Sequence, residues 1–331
     1  MSDYILQSTQ NNLDRTAEIE SMLNERGACM LGCGVFCVSG IKMPDGTTIR
    51  GMGAATKLVL IDEVTDGAAV KLGSFCTVRD ISVLGSQTES EIPTEVGSRH
   101  GILFEGSATE EHYKRAQPAH SMVSGCFISG FSGGGITCRC TGYSPESSLS
   151  VSDCQIFLCG AGINIPYFSE YHNFTGVKCN RNLYGCINNG GNNVFVNCGF
   201  DCNKTGFVID NSYGQSNNNS HGSVVGCTFN HSDSNKGVGI LLLGVSHGYV
   251  FSSSQLFFSK IIIENSTGLV FDSFNCGREV EISVKGKHPR GTGLVTFSGF
   301  AFNPAPKISI FDNDSVKFIN CFTADGNALT L

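Results

Sequence analysis

Tryptophan is absent from all 331 residues, and basic residues are the minority charge: 22 Lys and Arg stand against 29 Asp and Glu, a formal net charge of −7. That balance argues against a nucleic-acid partner, because such binding is dominated by Lys and Arg contacts to phosphate. No apolar run approaches the roughly 20 residues of a membrane-spanning helix, so no membrane partner is expected. The opening residues, Met1-Ser-Asp-Tyr-Ile-Leu-Gln7, lack a charged leader followed by an apolar segment, so no secretory signal is read there. Metal-ligand spacings are scarce despite 16 cysteines. Cys138-Arg-Cys140 is one residue too close for a zinc knuckle, and Cys29, Cys33 and Cys37 have no nearby histidine, so no metal site is expected.

What is present is repetition. Gly 41, with Asn, Ser and Thr throughout, marks a turn-dense all-β chain. From residue 122 to 331 one phrase recurs: Val123-Ser-Gly-Cys126-Phe-Ile128, Val151-Ser-Asp-Cys154-Gln-Ile156, Phe195-Val-Asn-Cys198-Gly-Phe200, Val224-Val-Gly-Cys227-Thr-Phe229 and Phe318-Ile-Asn-Cys321-Phe-Thr323. Weaker copies fill the gaps, and at the Cys position (126, 154, 177, 198, 227, 254, 274, 300, 321) the copies recur every 20 to 29 residues. Such a period is the signature of a solenoid. Each copy has a second half, a short aliphatic run such as Gly162-Ile-Asn-Ile165 or Gly239-Ile-Leu-Leu242. Two or three short strands per copy leave no room for a helix, and the regular Leu and Asn framework of leucine-rich repeats is missing. The expected fold is all-β, a single-stranded parallel β-helix, right-handed because parallel crossovers almost always are. Its coils would stack about 4.8 Å apart, the spacing of paired strands.

The cysteines fit that geometry. Cys126, Cys154, Cys198, Cys227 and Cys321 share one phase of the repeat with Val177, Phe274 and Phe300. A position that takes Cys, Val and Phe is an interior position, where a free thiol acts as a small hydrophobe. Reduced, buried thiols imply a reducing compartment.

The one helix expected is 14–26, with Asp14 or Thr16 as N-cap, Ile19, Met22 and Leu23 on one face, and Gly27 as its end. It is assigned as the N-terminal cap of the solenoid, whose open end would otherwise expose core and strand edges. Three short strands follow, 35–38, 48–50 and 57–61, the first two separated by the turn Pro44-Asp45-Gly46. The chain divides into this helix, N-terminal coils with long inserts (31–121) and regular coils (122–331), all one domain.

The helix of Asp-x-Thr-x-x-Ile type, followed by a stretch with Gly34, Val38, Gly40-Ile41, Met43-Pro44, Gly46-Thr47, Ile49, Gly51 and Gly53, resembles the opening of the pectate-lyase-like right-handed β-helix superfamily. That superfamily includes pectin and pectate lyases, polygalacturonases, other glycosidases, fructan-cleaving transferases and phage tailspikes. The resemblance implies a poly- or oligosaccharide partner, and by analogy a homo-oligomer, a trimer first. With reduced cysteines it implies a cytoplasmic or virion-associated protein. It does not assign a reaction, since one fold hosts many chemistries.

Long inserts are expected at 86–99, 107–120, 141–148, 166–173 and 210–222, and loops on a rigid scaffold are where binding concentrates. The first two are the most charged; the alternative role for them is that of solvated loops or oligomer contacts. Mid-chain, stacking brings Asp153, Glu170, Asp201 and Asp210 to one stretch of the solenoid, with His172, Lys178, Arg181, Lys204 and Tyr213. Glycosidic hydrolysis needs two carboxyls, roughly 5 Å or 6.5–9.5 Å apart according to stereochemistry. Asp153, Glu170, Asp201 and Asp210 are the candidate catalytic carboxyls, and the other five the candidate substrate contacts. Asp and Asn at turns also bond the backbone, a competing role for each. β-Elimination from a uronate would instead use Lys178, Arg181 or Lys204 with His172 or Tyr171, helped by calcium if needed; no other cofactor is expected.

The polygalacturonase strings Asn-Thr-Asp, Asp-Asp, Gly-His-Gly and Arg-Ile-Lys are absent, and Ser220-His221-Gly222 and Ser246-His247-Gly248 lack the first Gly. Without tryptophan the signature of secreted pectate lyases cannot occur. No catalytic residue therefore carries over. The expectation is a carbohydrate-active protein that cleaves or rearranges glycosidic bonds. The alternatives are a non-catalytic glycan-binding or structural fibre protein like a tailspike, and a uronate lyase.

Overall fold

The computed structural model describes residues 5–8, 13–85, 91–106, 119–139, 148–166, 169–211, 221–232, 236–246, 248–287, 293–312 and 314–329. Each regular coil has three sides. In the coil that opens the repeats these are Ser121–Ser124, Phe127–Ser129 and Gly134–Arg139; we term them walls A, B and C. Wall C is an 11-stranded parallel sheet running to Lys307–Phe311. Walls A and B are joined in a 17-stranded sheet, and wall B closes with a further sheet of 4 strands. The joining strands are Thr48–Leu60 and Thr77–Leu84, which run from wall A into wall B. Strands expected separately at 48–50 and 57–61 are thus one strand. Its register shifts at Gly53 (φ 71°), where the missing Cβ lets the chain turn the corner without breaking the ladder.

The repeat phrase is realised residue for residue. Val123, Val151, Phe174, Phe195, Val224, Phe251, Phe271, Phe297 and Phe318 are paired in sequence along wall A. Alternation turns all of them inward. Where phenyl rings succeed one another the coil spacing is also a stacking distance: 4.9 Å for Phe174–Phe195 and Phe251–Phe271, 5.0 Å for Phe271–Phe297 and 4.7 Å for Phe297–Phe318. Each buried ring contributes about 1.5–3 kcal/mol by transfer from water.

The residue before the Cys position has positive φ in every regular coil: Gly125, Asp153, Gly176, Asn197, Gly226, Ser253, Ser273, Gly299 and Asn320, between 51° and 67°. The Gly, Asp and Asn of the phrase are therefore selected by a left-handed corner that Gly and Asx enter most cheaply. The next residue turns in, and Cys126, Cys154, Val177, Cys198, Cys227, Ser254, Phe274, Phe300 and Cys321 are all buried. Here Cys and Ser have one advantage over Val: each donates to the carbonyl two residues back, as Cys126 to Ser124 O (3.3 Å), Cys154 to Ser152 O (3.3 Å) and Ser254 to Ser252 O (2.8 Å). Gly299 tests the corner without a clash, since a Cβ there meets nothing nearer than 3.5 Å. Gly299→Val is expected to cost about 1–3 kcal/mol in urea unfolding and Gly299→Asn clearly less. Equal costs would show that the left-handed backbone is not what this position selects.

The interior also carries polar ladders. At the B–C corner Asn203 Oδ1 accepts from Asn182 N–H (2.8 Å), Asn203 Nδ2 donates to Cys179 O (2.8 Å), and Asn182 Oδ1 accepts from Cys159 N–H (2.9 Å). At the C–A edge Asn193 Nδ2 donates to Asn188 Oδ1 (2.9 Å) and Asn188 Nδ2 to Tyr249 Oη (2.9 Å). Each amide replaces a backbone bond that a corner interrupts.

Helix Thr16–Arg26 packs Ile19 and Leu23 against strands Ala28–Leu31 and Ile41–Lys42, and ends in Gly27, whose N–H donates to Leu23 O. Its start differs from expectation. Arg15 holds the N-cap position without a capping hydrogen bond from its side chain, and its guanidinium pairs with Glu18 at 2.6 Å instead. The Asp14 carboxylate, one residue earlier, accepts from Thr16 N–H (2.9 Å) and Ser39 N–H (3.2 Å), so it ties the helix to the first coils as well. No described helix is long and apolar enough to cross a membrane.

Candidate functional site

Wall B is short, so its outer face is two residues wide. Its first outward row runs Phe127, Gln155, Lys178, Gly199, Thr228, Gln255, Asn275, Ala301 and Phe322 in register. The second includes Ser129, Phe157, Asn180 and, further along, Phe257, Gly277 and Asn303. Amides, hydroxyls and phenyl rings dominate this strip, with little charge.

Its N-terminal end widens into a groove of about 550 Å³ lined by Lys57, Ser82, Gly125, Cys126, Phe127, Asp153 and Gln155 among others. Phe127 is 37% exposed and stacks on Phe157 with centroids 5.6 Å apart and planes at 26°. Asp153 is exposed at the left-handed corner. Two coils earlier on the same corner row is Asp80, paired with Arg50 at 3.3 Å, and Gly125 lies between the two. Strand spacing puts the two carboxyls about 10 Å apart along the axis.

The eight candidate residues that are described lie on three successive coils and do not share one edge of the solenoid. Asp153 and Lys178 lie on the groove side, and Lys178 Nζ donates to Asn197 O (3.3 Å). Asp201 lies at the far edge of wall B, where Oδ1 accepts from Asn230 N–H (2.7 Å) and Oδ2 from Thr228 Oγ1 (2.7 Å). Asn180, its amide nitrogen turned towards it, donates to Asp201 O at 2.9 Å. Asp201 thus forms a polar ladder with Asn180 and Asn230, and its carboxylate serves the next coil's backbone. Arg181 and Lys204 are exposed at the B–C corner. Asp210 ends strand Thr205–Asp210 on wall C, with its N–H donating to Asn189 Oδ1 (2.9 Å). Tyr213 lies outside the described residues.

Glu170 and His172 are inside. Glu170 is 3% exposed; Oε2 accepts from Asn192 Nδ2 (3.2 Å), Oε1 has no hydrogen-bond partner, and burial holds the carboxyl above its ordinary range. His172, expected as a substrate contact, is fully buried. Its Nδ1 accepts from Leu149 N–H (3.0 Å), so the proton sits on Nε2 and is donated to Ser169 Oγ (2.6 Å). Burial pushes its pKa down to about 3, so it is a neutral packing residue. The segment around it turns inward because it lies over Gly190, where a Cβ would stand 1.9 Å from Ser169 O. Among the described residues no three His, Cys, Asp or Glu side chains converge on a point that could hold a metal ion.

The groove residues Lys57, Phe127 and Gln155, with Asp80 and Phe157 next to them, were not foreseen. For Phe127 and Gln155 there was a signal: each follows the inward Cys of its copy, so alternation alone turns it outward. Lys57 and Asp80 come from coils across the 86–120 inserts, where the repeat is unreadable.

No protein-family profile and no curated protein sequence matches the chain. Solved structures do. Full-length tailspike protein 2 from Escherichia coli O157:H7 bacteriophage CAB120 superposes with TM-score 0.53 at 12% identity over 94% of this chain, which spans only 41% of the tailspike's length. The A-module of a mannuronan C-5 epimerase of Azotobacter vinelandii gives 0.51 at 11% identity, covering 94% of this chain and 96% of the module. DFA-IIIase from Arthrobacter chlorophenolicus A6 gives 0.55 at 10% identity, covering 100% and 97%. The fold is the parallel β-helix that these structures share. At these identities the likeness of the β-helix to its neighbours is one of fold.

Proposed function

We propose that this β-helix is a carbohydrate-acting protein that binds a poly- or oligosaccharide in the wall B groove. The observation that carries this is the exposed Phe127 ring, stacked on half-buried Phe157, beside Lys57, Ser82, Asp153 and Gln155 in the groove. A sugar ring has an apolar face and a rim of hydroxyls, and an aromatic platform flanked by amide, carboxylate and ammonium groups complements both. The fold neighbours support the ligand class, since they include a tailspike, a mannuronan epimerase and a DFA-IIIase solved with GF2. Helix Thr16–Arg26 is assigned within this proposal as the cover of the first coil.

Binding to uronate polymers, fructans, glucans and galactans, measured by calorimetry, tests it. Phe127→Ala is expected to weaken binding about tenfold, equivalent to about 1.4 kcal/mol. A folded wild-type protein that binds none of these glycans would sink the proposal.

A second reading is inverting hydrolysis. Of the four carboxyls foreseen, Asp153 lines the groove. Asp80, on the same corner row two coils away and paired with Arg50, lies about 10 Å along the axis. That is just beyond the roughly 6.5–9.5 Å of inverting enzymes, so one side chain must turn towards Gly125 for the pair to act. New reducing ends, lost in Asp153→Asn while binding persists, are its expected signature. Unsaturated product that needs calcium would point to elimination instead.

A further inference from the structure

Wall C carries a second pocket over its first four strands, Ile41–Lys42, Gly67–Leu72, Arg99–Glu105 and Gly134–Arg139. Its volume is about 380 Å³, within the range of small-ligand sites. Gly40, Ala68 and Leu103 form its floor, and the last two are buried, so nothing fills the outer face there.

Charge is placed in this pocket against local stability. Lys42 and Lys71 are direct partners on adjacent strands. Their neighbours Ile41, Met43, Val70 and Leu72 are buried, so alternation turns both lysines outward on the same side. Like charges directly opposite one another repel. Lys71 Nζ is compensated by Glu105 Oε2 at 2.9 Å, but Glu105 Oε1 also meets Arg139 Nε at 3.4 Å. Glu105 is the direct strand partner of Arg139 and stands two coils from Lys42, on the far side of Lys71. One carboxylate thus serves two cations, and Lys42 makes no ion pair among the described residues. At the opposite end of the pocket are Ser39 and exposed Asp66, three and five residues before the lysines of their strands.

We propose that this pocket binds an acidic sugar, whose carboxylate or phosphate group sits against Lys42 and Lys71. An ammonium has three donors; Lys71 spends one on Glu105, and Lys42 spends none on a side chain. An anion there removes the repulsion between the lysines and gains charge-assisted hydrogen bonds. The apolar face of the sugar ring lies on Ala68 and Leu103, and its far hydroxyls donate to Asp66. A neutral sugar meets the same floor but leaves the two lysines uncompensated. The pocket is on another wall from the Phe127 groove, and the two sites stand or fall separately.

The test follows backbone amide shifts of the folded full-length protein as glucuronate, glucose 6-phosphate, glucose or inorganic phosphate is added. Physiological ionic strength is used, since it screens exposed charges. Either acidic sugar is expected to shift Gly40, Gly67 and Ala68, while glucose at the same concentration does not. The tighter of the two identifies the anionic group as carboxylate or phosphate. Lys42→Gln is expected to weaken the acidic sugar about tenfold and, by relieving the repulsion, to hold or raise the urea midpoint. A lysine with only a structural role would lower that midpoint. Lys260→Gln, which breaks the Lys260–Glu281 pair elsewhere on wall C, is the control and is expected to leave binding unchanged. Shifts at the floor that glucose matches, that inorganic phosphate reproduces at equal affinity or that survive Lys42→Gln overturn the proposal. So does the absence of any shift there with both acidic sugars.

Discussion

Between pH 6.5 and 4 this protein is expected to lose most of its stability, and buried histidines are the cause. His172 is pushed down to about 3 by burial, and His100 to about 4 by burial and then by Arg139. His231 is lowered too, again chiefly by burial. In His100 and His172 the Nδ1 atom is committed as an acceptor: His100 Nδ1 takes Gly134 N–H (2.9 Å) and lies 2.9 Å from Thr137 Oγ1, and His172 Nδ1 takes Leu149 N–H. A proton there would set donor against donor in a buried site.

The folded pKa values lie below the unfolded value of about 6.5, so the unfolded chain takes up protons first. Stability is complete above pH 6.5 and is lost as pH falls towards the folded values. At about 1.36 kcal/mol per unit, His100 and His172 together remove on the order of 6 kcal/mol by pH 4. That is comparable to the whole stability of many domains. Glu170 opposes the trend, since burial raises its folded pKa and protonation relieves its buried charge. One carboxyl does not offset two histidines. Urea midpoints at pH 7, 6, 5 and 4 are the measurement, with His172→Gln expected to start lower and fall less. A midpoint constant down to pH 4 would refute the assignment.

Phe195→Ala is expected to cost about 3–5 kcal/mol. The Phe195 ring stacks on Phe174 at 4.9 Å and meets Phe207 at 5.2 Å and Phe200 at 6.0 Å edge-on, so its removal leaves a void walled by three other rings. Paired strands hold the backbone on both sides, which limits collapse into the space. In a solenoid, stability is close to a sum of nearest-neighbour terms. The loss therefore falls on the junction between coils, and urea unfolding followed by circular dichroism is expected to broaden or split into two steps. Phe127→Ala, at an exposed ring, is the control and is expected to change stability by less than about 1 kcal/mol. Similar losses in both variants would mean that the phenyl stack does not hold the coils together.

The coil and its phase were legible because each depends on neighbours in the chain. Alternation decides which way Phe195 and Phe271 point. A left-handed corner admits Gly, Asp, Asn and Ser, and the turned-in position after it admits Cys, Val and Phe. Both preferences are local and recur with each copy, so stacking in register only repeats them. The role of a polar side chain is not local. Asp153 and Asp201 follow similar strings, yet Asp153 is open to the groove while both oxygens of Asp201 are bonded by the next coil. His172 and Glu170 sit in what reads as a polar insert, and only the Gly190–Gly191 turn beneath it, too small to push the segment outward, draws them inside.

The groove itself joins Lys57 and Ser82 to Asp153 and Gln155 across inserts of irregular length. Chain distance there carries no information about spatial distance, because a coil closes regardless of what is inserted at its corner. The amino-acid sequence by itself determined the solenoid, its inward phenyl and thiol ladders and its left-handed corners, all set by the conformational preference and alternation of a few adjacent residues. Which edge each ionisable group reached, and which pairs of charges face one another, was decided by the stacking of coils, since only that fixes what lies one strand spacing above and below.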